Sequence, residues 1–196
     1  MNDSINASDL LIRTMPTPNP SALKFITNVP FKREGKATFH AAAEAESLPL
    51  VRDLFSIAGV KQVHLFQNTL SVTHSGELTS DELSDQVSAV IRTRMGIHDS
   101  HFLAPDEVAK TLKKKTIEHS DPILLQIEEI LDRTIRPGLQ ADGGDVDVLS
   151  FESNELRIVY QGACGGCPSS MMGTLDAIQG ILRQELNLPE LTVLPL

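Results

Sequence analysis

The chain's only two cysteines stand three apart in Gly162-Ala163-Cys164-Gly165-Gly166-Cys167-Pro168-Ser169-Ser170. Thiols at this spacing can close a disulfide, or they can supply half of a tetrahedral thiolate site for zinc or an iron–sulfur cluster. Gly165 and Gly166 leave the backbone free to wrap around a ligand and to aim N–H groups at sulfur. Pro168 is preset for a first helical turn. Both thiols therefore fall at or just before a helix N-terminus, which predicts lowered thiol pKa values. Ser169 and Ser170 add hydroxyls beside the sulfurs.

Three chemistries compete for this loop. A thioredoxin-type dithiol oxidoreductase also sets C-x-x-C before a helix, but only 29 residues follow Cys167, too few for that fold's usual continuation. The zinc and iron–sulfur readings meet a shortage, because a four-thiolate site needs twice the cysteines present. Two copies meeting about a two-fold axis would bring one C-x-x-C to another and complete the set. A cluster held at such an interface is exposed and easily released, which suits a carrier better than an electron-transfer centre.

Other candidates are weaker. Asp142-Gly143-Gly144-Asp145-Val146-Asp147 lacks the ligand order and closing Glu of a calcium loop and reads as a glycine turn into a strand. Its glycines are expected to approach the cysteine loop. His98 and His101 read as part of a polar loop, and Met171 as part of a helix stripe with Met172 beside it. No Ser-His-Asp set, phosphate-cradling loop or catalytic carboxylate pair stands out.

The elements that must position the loop follow from periodicity. Strands are predicted over residues 10–14 and 22–27, separated by the extended Thr17-Pro18-Asn19-Pro20. Residues 28–46 show no clear pattern. A helix is predicted from Ser47 to Ala58, stopped by Gly59, then a hairpin of 60–66 and 69–74 whose Val63/Leu65 and Leu70/Val72 alternate like half-buried strands. Thr79 and Glu82 form a capping box for a helix that Gly96 ends. Beyond a lysine-rich stretch, Asp121-Pro122 opens a helix closed by Arg136-Pro137-Gly138. Strands 145–151 and 155–160, a helix 168–186 and a last strand 191–194 complete the pattern. The fold class is α+β with two small domains. Residues 1–103 form the N-terminal domain, 104–120 a charged linker, and 121–196 an α-β-β-α-β C-terminal domain.

Composition agrees with that division. Of the net charge of −9, residues 121–196 carry 12 acidic against 4 basic groups, and residues 1–120 carry 14 against 13. An acidic C-terminal unit disfavours nucleic acid, since phosphate contacts need Lys and Arg. No apolar run reaches the roughly 18 residues of a membrane span. The polar, acidic residues 1–9 lack a targeting pattern, and two cysteines make no secreted disulfide framework, so the expected compartment is the cytoplasm.

The cysteine stretch, with Ile135-Arg136-Pro137 and Gln140-Ala141-Asp142-Gly143-Gly144-Asp145, closely resembles the C-terminal domain of NifU-like (Nfu-type) iron–sulfur proteins. Thr17-Pro18-Asn19-Pro20-Ser21-Ala22-Leu23-Lys24-Phe25, Pro49-Leu50 through Gly59-Val60, and Thr69 to Thr73 resemble the small domain that precedes it in two-domain members. Gly173-Thr174-Leu175 departs from the family's usual Thr-Leu-Lys. The resemblance implies a non-enzymatic scaffold or carrier. In it a [4Fe–4S] cluster, one per homodimer, is held by Cys164 and Cys167 of two subunits in a loop shaped by Gly165 and Gly166. It further implies upstream cluster donors, apo iron–sulfur client proteins, and an N-terminal domain that recruits them. A dithiol oxidoreductase and a zinc-bridged dimeric interaction module are the alternatives.

Overall fold

The computed structural model describes residues 9–104, 122–165 and 168–196, with the side chains of 168–172 excepted. It is α+β, built on two sheets. Cys167 and Gly166, and nearly all of the expected linker, lie outside the described residues.

The N-terminal sheet is antiparallel in the order β1-β2-β5-β4-β3, with β1 Ile12–Pro16, β2 Ala22–Thr27, β3 Lys32–Phe39, β4 Val60–Gln67 and β5 Thr69–His74. Its apolar face gathers Phe25, Leu70, Leu65 and Phe39. Helices α1 (Pro49–Leu54) and α2 (Ser80–Arg94) cover that face, α2 through Leu83, Val87 and Ile91. The Thr79 capping box is formed as expected: the Glu82 N–H donates to Thr79 Oγ1 and the Thr79 N–H to the Glu82 carboxylate. Two expectations are corrected. Helix α1 is half the predicted length, because residues 55–58 turn back toward Gly59 (φ 81°). Gly96 lies in a 3₁₀ turn (Met95–Ile97) rather than in a left-handed cap.

A larger correction concerns the hairpin. Register aligns Lys24, Ser71, His64 and Thr38 in one row across β2, β5, β4 and β3, on the face away from the helices. An antiparallel sheet ordinarily turns such a face to water. Here Ser71 and His64 are each only 1% exposed. The strands are buried on both faces because the second domain lies over this polar row.

That domain comprises α3 (Pro122–Thr134), α4 (Arg136–Ala141), β6 (Gly144–Glu152), β7 (Glu155–Gly162), α5 (Pro168–Glu185) and β8 (Thr192–Pro195). The first helix ends at Thr134, just ahead of Arg136-Pro137-Gly138 as expected, and those residues also open a second one. Proline fits a first turn, so the chain kinks at Ile135 and starts α4 there. Ser153 and Asn154, both with positive φ (51° and 66°), make the two-residue turn that a right-twisted hairpin favours. Strand β8 returns through α5 to pair parallel with β7. Ile127 and Leu131 of α3, Ile178 and Leu182 of α5, and Leu156 and Ile158 of β7 fill the core.

Candidate metal centre

Strand β7 delivers the cysteine loop at its end. Gly162 leaves the strand with φ 61°, the Ala163 N–H donates to the Gly143 carbonyl at 3.1 Å, and the Gly165 N–H closes back on the Gly162 carbonyl at 3.1 Å. The Gly143-Gly144 turn thus lies directly under Cys164. A Cβ at Gly144 would come within 3.0 Å of the Cys164 Sγ and backbone N and of the Gln161 carbonyl. The glycine approach expected from sequence is present, and it makes a cradle only hydrogen can line.

Cys164 is a free, half-buried thiol beside a cavity of about 40 Å³ lined also by Pro18, Tyr160, Ala163 and Thr174. Burial, then the negative charges of Asp142 and Asp145, push its pKa up to about 12. The helix N-terminus was expected to do the reverse. Desolvation and two carboxylates outweigh it, because Cys164 sits four residues ahead of α5. The same burial, with Cys164 adding to it, raises Tyr160 to about 12.

Behind the loop lies an ion-pair cluster. Asp145, 1% exposed, meets Lys36 Nζ at 3.0 Å and Arg136 Nε at 3.6 Å, and its Oδ1 accepts from the Val146 N–H at 2.7 Å. Arg136 also donates to Asp132 (2.6 Å), Glu128 and the Val146 carbonyl (3.2 Å). Lys36 reaches Asp147 at 2.8 Å. The Asp142–Asp147 segment is therefore a turn into a strand whose first carboxylate is taken by cations, not a calcium loop.

Lys36 belongs to the other domain, and it is not alone. Asn19 Nδ2 donates to the Gly165 carbonyl at 3.1 Å, inside the C-x-x-C loop. Its own Oδ1 is fixed by the Ser21 N–H (2.9 Å) and its N–H by Thr17 Oγ1 (3.2 Å), which is what the Thr17-Pro18-Asn19-Pro20 turn is for. Lys24 Nζ donates to the Ala141 carbonyl. His64 lies against Gly162 and shares a 2.8 Å hydrogen bond between its Nδ1 and Thr38 Oγ1. Burial lowers its pKa to about 4. Lys36 assists, and Asp145 and Asp147 oppose.

Sequence reasoning missed these four residues. Lys24, alone and charged between apolar neighbours in β2, was the one available signal. Elsewhere the expectations stand apart from the site: His98 Nε2 bonds the Phe31 carbonyl at 2.6 Å, while the His101 N–H caps onto Asp99. Among the described residues, no helix is long and apolar enough to cross a membrane.

Burial that holds the Cys164 thiol protonated makes it a poor nucleophile toward a disulfide. Once deprotonated it is a soft ligand in a glycine cradle, and one chain offers two such thiols at most. The comparisons point the same way. Residues 127–193 match the NifU-like domain, and residues 12–96 match the scaffold protein Nfu/NifU N-terminal domain. A human protein named NFU1 iron-sulfur cluster scaffold homolog, mitochondrial, is 35% identical over 89% of this chain and 67% of its own length. NifU-like protein 5, mitochondrial, of Arabidopsis thaliana is 35% identical over 88% of this chain and 63% of its own. The chain thus spans about two thirds of the length of these curated relatives. A solution structure of a NifU-like protein from Saccharomyces cerevisiae aligns with 44% of this chain and 78% of its own, at 18% identity and a TM-score of 0.40.

Proposed function

Because the chain belongs to the Nfu-type family of iron–sulfur cluster scaffolds, we propose that it carries a [4Fe–4S] cluster as cargo between two copies and passes it to apo-proteins. Cys164 and Cys167 of each copy supply the four thiolates, and Gly165 and Gly166 let the loop close around the cluster. The observation that carries this reading is the cradle: Gly144 backbone packed against Cys164 Sγ at the end of β7, in a chain with two cysteines. Loading takes the proton off each thiol, so binding is coupled to proton release.

The raised pKa of Cys164 weighs against the dithiol oxidoreductase, whose attacking sulfur must be a thiolate near neutral pH. Upstream donors load the site, clients empty it, and the N-terminal domain takes part in choosing them. The C-terminal domain's negative charge favours clients with a basic face. We assign the chain to a reducing compartment, by default the cytoplasm; the curated relatives are named as mitochondrial.

Anaerobic reconstitution with iron and sulfide tests this directly. The expected product has twice the mass of the apo chain, visible absorption, and four irons per two chains. Cys164→Ala should abolish it, since each copy then gives one ligand. A colourless monomer with a reversible disulfide would sink the carrier reading, and zinc without sulfide would favour the bridged module.

A further inference from the structure

The N-terminal sheet spends its polar face on the cysteine loop. Lys24, Ser71, His64 and Thr38 form one row, and Asn19 and Lys36 stand on either side of it. The fit is close: a Cβ at Gly143 would meet Ser71 Oγ at 2.5 Å and one at Gly162 would meet the His64 ring at 2.9 Å. The grip is polar, made by Asn19 on the Gly165 carbonyl, Lys24 on the Ala141 carbonyl, and Lys36 on Asp145 and Asp147.

We propose that this contact is a releasable latch: the polar row docks the cysteine loop in the single chain, and the loop must leave it to meet a second copy. The proposal rests on the two-copy reading above. Two observations point to release. The contact buries His64 Nε2, Ser71 Oγ, Thr73 Oγ1 and Gln161 Oε1 without hydrogen-bond partners among the described residues, and water would satisfy all four on opening. Moreover, Asn19 engages the carbonyl of Gly165, which lies between the two cysteines, so one flank of the loop is taken while the latch is shut. Polar contacts of this kind can be exchanged for water on opening, as apolar packing cannot.

The test uses the full-length apo chain carrying Cys167→Ser, which leaves Cys164 as its one thiol. N-ethylmaleimide alkylation is timed at fixed pH in this chain and with Asn19→Ala or Lys36→Ser added. Opening-limited reactivity predicts alkylation roughly tenfold faster in each variant. Small-angle scattering should show the largest dimension growing in step. Equal rates in variants that keep the parent's circular dichroism and unfolding midpoint would overturn the latch. Faster alkylation, with no two-copy species from the two-cysteine chain given iron and sulfide, supports the latch and overturns the cluster reading instead.

Discussion

Acid should loosen this protein through one imidazole. His64 is neutral in the closed fold because burial, helped by Lys36, holds its pKa near 4 against an ordinary 6.5, while Asp145 and Asp147 pull the other way. Its Nδ1 is bonded to Thr38 and its Nε2 has no hydrogen-bond partner among the described residues. At about 1.4 kcal/mol per pH decade, that displacement is worth roughly 3 kcal/mol. The contribution is complete above pH 6.5, where the ring is neutral folded or unfolded. As pH falls, the unfolded ring takes a proton that the buried one refuses, and about 2.5 kcal/mol is gone by pH 4.5. Denaturant unfolding of the wild type and His64→Gln at pH 7.5 and pH 4.5 isolates the effect from the carboxylates, which titrate in both. The wild type should lose about 2.5 kcal/mol more than the variant. Nuclear magnetic resonance titration of the ring, identified by its disappearance in His64→Gln, gives the pKa itself. Lys36→Ala should raise it. A ring titrating near 6.5 in the folded chain would refute the reasoning, because it would mean water reaches the polar row.

Gly144→Ala should destabilise the C-terminal domain by about 1–3 kcal/mol through overpacking and displace Cys164, so both the urea midpoint and the iron content after reconstitution should fall. Unchanged values for both would mean the cradle has slack. Arg136→Ala strips the buried Asp145 of one cation and frees Glu128 and Asp132; a loss of about 3 kcal/mol is expected in chemical denaturation, and less than about 1 would contradict the role given to the cluster. Thr79→Ala removes one half of the capping box and should cost about 1 kcal/mol with cluster binding untouched.

How far the sequence reached depended on how local the causes were. Strand β2, the capping box and the strand that leads into Cys164 were legible because each is set within a few residues. Strand β3 was not, since residues 28–46 show no clear pattern and the strand pairs with β4 only across a register shift between Lys32 and Lys36. The split between α3 and α4 was hidden because proline both ends one helix and begins another. The least legible feature was the roof over the site. Asn19 and Gly165 are 146 residues apart, and nothing near either one announces the other. That roof buried a hairpin that its own alternation marked as half-exposed.

The parallel pairing of β8 with β7 carries a consequence for biosynthesis. Strand β7, which presents Cys164, gains its second neighbour only from residues 192–195, after the whole of α5 has been made. At translation rates of about 5–20 residues per second, the N-terminal sheet is finished roughly 5–20 s before that strand exists. Such late, non-local pairing is slow to form and leaves a bare edge open to aggregation in the meantime. During that interval the row of Lys24, Ser71, His64 and Thr38 already stands formed beside the nascent β6–β7 hairpin. The face that shields the thiol in the finished protein is thus in place to receive the hairpin before its own sheet is complete.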